Sequence, residues 1–189
     1  MIKIPLKYIP FLLLFSIPLL QAAVSPSPIA RNPTKQYRSE GVFEGGTLVP
    51  ANIEAVRFSP HQREGYERWV IDFSDQKERQ IGKVAPRFQI RYVKAHRVAI
   101  PDGKDIVLEP AKFVFIFREI QHNYLKNASL KNLTKKSHFV KDIILYPAIE
   151  EGDTALELVL KENVLFETHQ PTEKTGRLVL DLKNTPLGQ

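Results

Sequence analysis

Two short segments of the chain carry an arginine and an aspartate at the same spacing. Arg68 and Asp72 lie in Arg-Trp-Val-Ile-Asp-Phe, and Arg177 and Asp181 lie in Arg-Leu-Val-Leu-Asp-Leu. Guanidinium groups bind carboxylates and phosphates through paired hydrogen bonds, and aspartate accepts hydrogen bonds from hydroxyl groups. We therefore predict that these four residues bind a polymer that offers carboxylates and sugar hydroxyls. The structural alternative is that they form ion pairs across neighbouring strands on a solvated face.

A basic segment forms the second candidate site. No acidic residue lies between Asn123 and Val140, and we predict that the adjacent Lys135 and Lys136 steer an anionic ligand towards the protein. The alternative is a solvated long loop, in which charge is easily tolerated. The lysines in and beside this segment are Lys126, Lys131, Lys135, Lys136 and Lys141.

The residue types of common catalytic and metal centres are missing or wrongly spaced. The chain has no cysteine, so it has no thiol nucleophile and no cysteine zinc site. Its five histidines do not form a zinc motif, and no nucleophile elbow or phosphate-binding loop occurs. The acidic cluster around Gly152 is more simply a solvated turn than a glycosidase pair. We therefore expect no enzyme activity, no metal and no cofactor.

The elements that would position these residues are β-strands. Apolar residues alternate with polar ones along most of the chain, as half-buried strands require. Many short strands at close spacing predict an all-β fold, a small sandwich of two mainly antiparallel sheets. The alternating apolar sets are Trp69, Ile71 and Phe73; Phe88, Ile90 and Tyr92; Phe113, Phe115 and Phe117; Leu156, Leu158 and Leu160; Leu178, Leu180 and Leu182.

Turn residues and an internal similarity give finer expectations. Asp102-Gly103 predicts a hairpin between residues 98–100 and 106–108. The last three strands resemble an antiparallel meander, and the best helical segment lies within residues 119–135. The shared pattern of the two arginine-aspartate segments suggests one such strand in each of two related sheets.

The N-terminus has the layout of a secretory signal peptide. Lys3 and Lys7 precede an uncharged run over residues 11–20, and Ala22 and Ala23 suit a cleavage site. A helix of about ten residues spans only about 15 Å, against roughly 30 Å of hydrocarbon. We predict a signal peptide over residues 1–23, a Pro/Ser-rich linker over residues 24–41 that holds the domain away from its terminus, and one domain over residues 42–189. The expected location is the periplasm or the exterior, with no stable membrane span after cleavage.

The charge balance limits the class of partner. Without the two lysines of the leader, the formal net charge falls from +6 to +4. This mild positive charge suits anionic envelope polymers, but it is far from the strongly basic surface of a nucleic-acid-binding protein. We therefore expect no nucleic-acid partner.

The order of the strand motifs resembles that of a known family. Four segments carry the resemblance: residues 67–73 (Glu-Arg-Trp-Val-Ile-Asp-Phe), residues 86–93 (Pro-Arg-Phe-Gln-Ile-Arg-Tyr-Val), residues 164–167 (Val-Leu-Phe-Glu) and residues 177–182 (Arg-Leu-Val-Leu-Asp-Leu). In this order they are similar to the strands of AMIN and AMIN-like domains of bacterial envelope proteins. The resemblance covers roughly residues 53–184. It implies a sandwich of two small sheets without catalytic activity, which attaches proteins to the envelope, usually through peptidoglycan. We expect this chain to differ from that arrangement, because its length leaves no room for an attached enzyme domain and because it carries the lysine- and asparagine-rich insertion.

Three functions follow as expectations. The first is a non-catalytic envelope module that targets or docks to peptidoglycan or another anionic polymer. The second is a periplasmic carrier of a lipid or other apolar ligand, suggested by Phe113, Phe115 and Phe117. The third is a docking subunit of an envelope protein complex, which a large exposed apolar patch would favour.

Overall fold

The computed structural model describes residues 25–75, 82, 85–99, 105–147, 152–171 and 176–185. The predicted signal peptide lies outside these residues. Within them the chain forms short strands and one short helix. The strands are β1 (Ser27–Pro28), β2 (Val42–Gly45), β3 (Ala51–His61), β4 (Tyr66–Asp75), β5 (Phe88–Val93), β6 (His96–Ala99), β7 (Asp105–Glu109), β8 (Lys112–Phe117), β9 (Ile120–Asn123), β10 (Val140–Leu145), β11 (Thr154–Leu160), β12 (Val164–His169) and β13 (Arg177–Asn184), and helix α1 is Asn127–Thr134.

Two sheets contain most of these strands. The first sheet has the order β1-β2-β5-β8-β11-β10, and the second has the order β12-β13-β4-β3-β9. Their strand pairs are antiparallel except for β1 with β2 and β3 with β9. The predicted all-β sandwich of two mainly antiparallel sheets is confirmed. Strands β6 and β7 form a separate two-stranded sheet.

The core lies between the two sheets, where the alternating apolar sets meet. Trp69 and Phe73 of β4 are at most 1% exposed, and so are Phe113, Phe115 and Phe117 of β8. The Phe73 and Phe117 rings touch across the sandwich with centroids 5.3 Å apart. Fully burying one such side chain contributes about 1.5–3 kcal/mol, so the inward faces are the main source of stability.

The two arginine-aspartate strands are neighbours in one sheet. β4 and β13 pair antiparallel in the second sheet, so the prediction that each belongs to a different sheet is wrong. The physical reason is that adjacent strands share their inner and outer faces. Two neighbouring strands therefore need the same alternation of apolar and polar residues that two strands in opposite sheets need, and the pattern does not distinguish these arrangements.

The C-terminal strands also differ from the expected meander. β12 and β13 form an antiparallel hairpin in the second sheet, but β11 belongs to the first sheet. The three residues after Leu160 carry the chain from one sheet to the other, and both Leu160 and Val164 face the core. The predicted hairpin at residues 98–108 is confirmed as β6 and β7, although its turn lies outside the described residues.

Residues 25–41, which we call the N-terminal strap, lie along the sandwich. β1 pairs with β2, and Arg38 and Phe166 exchange two backbone hydrogen bonds of 2.7 and 2.8 Å. A further backbone bond of 2.8 Å runs from the Gln170 N–H to the Ala30 carbonyl. The strap is extended, as its prolines indicate, but it closes the side of the sandwich between β2 and β12. The prediction of a linker that holds the domain away is therefore wrong for these residues.

Helix α1 confirms the helical prediction within residues 119–135. It is anchored through the loop that follows it, because the Glu67 carboxylate accepts hydrogen bonds from the Ser137 hydroxyl (2.6 Å) and the His138 N–H (2.5 Å). Glu67 is 2% exposed, so these bonds give its buried carboxyl oxygens the hydrogen-bond partners that they need. Within the described residues, no helix is long and apolar enough to span a membrane.

Candidate functional site

The outer face of the second sheet brings the four predicted polar residues together. The β4–β13 register places Arg68 opposite Asp181 and Asp72 opposite Arg177. Arg68 donates from Nε and Nη2 to the two Asp181 carboxylate oxygens at 2.8 and 2.7 Å. This bidentate pair is the cross-strand alternative that the sequence left open. Asp181 is only 2% exposed, so Arg68 covers it from solvent.

Asp72 is the centre of a second cluster, which contains an arginine that sequence reasoning missed. Its Oδ1 accepts hydrogen bonds from Arg177 Nε at 3.1 Å and from Arg57 Nη2 at 2.8 Å, and its Oδ2 accepts one from Arg57 Nε. Arg57 lies on β3, next to β4 in the sheet. We call Arg57, Asp72 and Arg177 the arginine clamp.

The arginine clamp carries one excess positive charge. Asp72 is buried, whereas the side chains of Arg57 and Arg177 are 52% and 35% exposed. Among the described residues, Arg177 bonds to Asp72 only through Nε, and Arg57 Nη1 has no hydrogen-bond partner. The hydrogen bond to Asp72 raises the pKa of Arg57, so this guanidinium is charged at any ordinary pH. Outward N–H groups of two fixed guanidiniums can therefore bind a carboxylate or a phosphate.

The neighbouring Arg68 is fixed as firmly as the clamp. Its hydrogen bond to Asp181 raises its pKa, and its guanidinium carbon lies 5.4 Å from the centroid of the Tyr66 ring. Tyr37 of the strap lies beside the same aspartate, and burial together with Asp181 and Glu167 raises the pKa of Tyr37 to about 12. Tyr37 thus stays a neutral hydroxyl that bounds the charged face on the strap side.

The predicted Lys135 and Lys136 form a separate surface. They follow α1 directly, and they are exposed together with Lys126, Lys131 and Lys141. Among the described residues, none of these five lysines pairs with a carboxylate, and no contact joins Lys135 or Lys136 to the arginine clamp. They form a cationic patch, which can attract an anionic polymer over a range of about 8–10 Å at physiological salt.

In the described part of the chain, no metal site is found, and one gap between the two sheets is too small for an apolar ligand. No group of three His, Asp or Glu side chains there could hold a metal ion. The space between the sheets lined by Trp69, Phe115 and Leu156 holds about 10 Å³, which is about the volume that one water needs. An acyl chain does not fit there, so this part of the sandwich offers no support for the carrier alternative.

Comparisons with known proteins give no family for the chain. The sequence matches no protein-family model and no curated protein.

Proposed function

We propose that this protein is a non-catalytic cell-envelope module, in the periplasm or outside the cell, that binds peptidoglycan or another anionic envelope polymer. The arginine clamp carries the proposal, because two guanidiniums share one buried carboxylate and keep outward N–H groups. Peptidoglycan presents stem-peptide carboxylates, which match these donors, whereas the buried Asp72 and Asp181 hold the arginines in place. The AMIN-like motifs at Arg68–Asp72 and Arg177–Asp181 support the same ligand class.

The cationic patch supports the proposal in a different way. Exposed lysines without carboxylate partners raise the local concentration of a polyanion and speed its association, although each adds little fixed geometry. In this mechanism Lys135 and Lys136 attract the polymer, and the arginine clamp binds one of its carboxylates. The two contributions differ in their dependence on salt, because exposed charges are screened more strongly than a bidentate contact beside a buried group.

Binding to purified peptidoglycan sacculi tests this proposal. We expect the double variant Arg57→Lys/Arg177→Lys to bind about tenfold more weakly or worse. Lysine keeps a positive charge beside Asp72, but it lacks the planar guanidinium that donates paired hydrogen bonds. The matched variant Lys135→Gln/Lys136→Gln should weaken binding at low salt and have little effect at 0.5 M NaCl. Both are measured by co-sedimentation, with circular dichroism as the control for folding.

Two results would contradict the proposal. If the wild-type protein does not sediment with sacculi or with an anionic envelope polymer such as teichoic acid, the ligand class is wrong. If the folded Arg57→Lys/Arg177→Lys variant binds as the wild type does, the arginine clamp is not the binding site.

A docking role in an envelope complex is the second candidate, and the β6–β7 hairpin favours it. Its aliphatic residues are unusually exposed, with Ile106 and Val107 at 47% and Leu108 at 58%. A two-stranded ribbon alone is marginally stable in water, and an exposed aliphatic surface marks protein contacts. The hairpin is therefore the part of the described surface best suited to another protein.

Site-specific cross-linking tests the docking role. We expect a photoreactive residue at Leu108 to give one discrete adduct with an envelope protein in cells, and a probe at the exposed Glu162 to give none. The variant Ile106→Ser should weaken the Leu108 adduct severalfold and change the free energy of unfolding by less than about 0.5 kcal/mol, because this side chain is half exposed. Equal adducts at both positions, or none at Leu108, would exclude a specific partner at the hairpin.

A further inference from the structure

The N-terminal strap is held by one buried carboxylate. Glu167 of β12 is 5% exposed, and its carboxylate accepts hydrogen bonds from the Thr34 N–H and hydroxyl and from the Lys35 N–H, the last at 3.0 and 3.1 Å. Lys35 has φ +59°, the left-handed conformation, and its N–H and the N–H of Thr34 both donate to the same carboxylate. The strap thus supplies the hydrogen bonds that a buried carboxylate needs.

A buried histidine lies beside this anchor. His169 is two residues after Glu167 on the same face of β12, it is 4% exposed, and the strap residue Ala30 forms a β-bridge with it. Its Nδ1 atom is buried and has no hydrogen-bond partner among the described residues. Protonation would place a charged N–H where the closed strap offers no acceptor, which is costly.

Titratable or charged groups face His169 from three strands and from the strap. Glu167 lies on its own strand, Asp181 on β13 and Arg68 on β4, and the strap brings Tyr37 to the same carboxylates. Burial lowers the pKa of His169, and Arg68 lowers it further, whereas Asp181 and Glu167 raise it. The lowering dominates, so His169 is neutral at pH 7 while the strap is closed.

The contact between the strap and the sandwich is incompletely packed. A cavity of about 120 Å³ lies under the strap, where Phe43 and Phe166 meet polar strap residues such as Thr34 and Arg38. This cavity is far larger than the gap of about 10 Å³ beside Trp69, so it has room for several waters. Segments with few buried apolar contacts open locally at a lower free energy than the core does. Residues 30–38 of the strap, which follow β1, can therefore open while both sheets stay intact.

We propose that the strap is an acid-released latch, in which protonation of His169 detaches residues 30–38 from β12 while the sandwich remains folded. The direction follows from linkage. The closed state binds the proton more weakly than the open state, in which His169 has its ordinary pKa of about 6.5. The closed strap is therefore fully stabilised above about pH 6.5. This stabilisation is lost as the pH falls from there towards the lowered pKa of the closed state, by up to about tenfold in the closing equilibrium per pH unit.

Amide hydrogen exchange of the full mature protein tests the latch. The reporters are the strap N–H groups of Lys35 and Arg38, which bond to Glu167 and to the Phe166 carbonyl, and the core control is Leu158. Between pH 7.5 and 5.5 we expect the protection factors of the strap amides, corrected for intrinsic rates, to fall by about tenfold. The protection of Leu158 should stay constant.

Two substitutions distinguish the effect of His169 from that of Glu167. His169→Gln removes the titrating group, so strap protection should become independent of pH over this range. Glu167→Gln weakens the anchor at every pH but keeps His169, so the protection of the strap amides should still fall as the pH falls. Three results would each overturn the proposal. Strap protection could depend on pH in His169→Gln as it does in the wild type, it could be independent of pH in the wild type, or strap and core protection could be lost together. If His169→Gln loses core protection, an NMR titration of wild-type His169 decides: a pKa at or above 6.5 overturns the latch.

Discussion

Replacing Phe166 by alanine is expected to lower the free energy of unfolding by about 3–5 kcal/mol. Phe166 is 1% exposed and is the second sheet's contribution to an aromatic cluster whose other members come from the first sheet. Its ring centroid lies 4.8 Å from that of Phe113, 5.1 Å from that of Tyr92 and 5.8 Å from that of Phe43. Truncation removes the apolar burial and leaves a cavity between the sheets, and both effects destabilise.

Urea unfolding followed by tryptophan fluorescence measures this effect, because Trp69 is the single tryptophan and is buried. The matched control is Leu165→Ala, on the same strand but on the opposite face and only half buried. We expect it to cost about 1 kcal/mol or less. Equal losses for the two variants would mean that the aromatic cluster does not join the sheets as described.

The second large effect concerns the arginine clamp. Asp72→Asn should destabilise the protein by about 2 kcal/mol at pH 7, because it leaves Arg57 and Arg177 with like charges on either side of β4 and no compensating carboxylate. Removing one partner of a buried ion pair costs about 3–5 kcal/mol, and the partial exposure of both arginines reduces that figure through solvent screening.

Salt and a surface pair provide the controls for Asp72→Asn. In 1 M NaCl the destabilisation should shrink, because the repulsion between the arginines is screened. Glu40→Gln breaks an exposed pair with Lys94 of 3.7 Å and should change stability by less than about 0.5 kcal/mol. If Asp72→Asn is as mild as Glu40→Gln, the clamp is held by the sheet and not by its carboxylate.

Local patterns were sufficient to predict many of the strands, but not β2, β3 or β10, and not the order of the strands in the sheets. The alternation at Trp69, Ile71 and Phe73 correctly identified a strand with one core face, and Asp102-Gly103 correctly indicated a hairpin. These features depend on side-chain periodicity within about ten residues. Which sheet a strand joins depends on pairing between distant segments, and this explains the errors over β13 and β11.

The candidate site was predictable only in part for the same reason. Arg68, Asp72, Arg177 and Asp181 follow from a repeated motif, and an ion pair across strands was foreseen as the structural alternative. Arg57 does not belong to the repeated motif. Its position beside Asp72 depends on the pairing of β3 with β4, whose register shifts at a β-bulge between Ile53 and Ala55. The strap has few apolar residues, so its composition indicates a free linker. The strap residues Thr34 and Lys35 contact Glu167, which lies 133 and 132 residues later in the sequence, so no local pattern indicates these contacts.

This separation in sequence has a consequence for how the protein folds. Thr34 leaves the ribosome 133 residues before Glu167, so the strap waits for most of the two sheets before its partner exists. Closing so long a loop costs entropy before any contact compensates for it, and such topologies fold in milliseconds to seconds. Until the strap docks, β2 and β12 are open edges to which another chain can add.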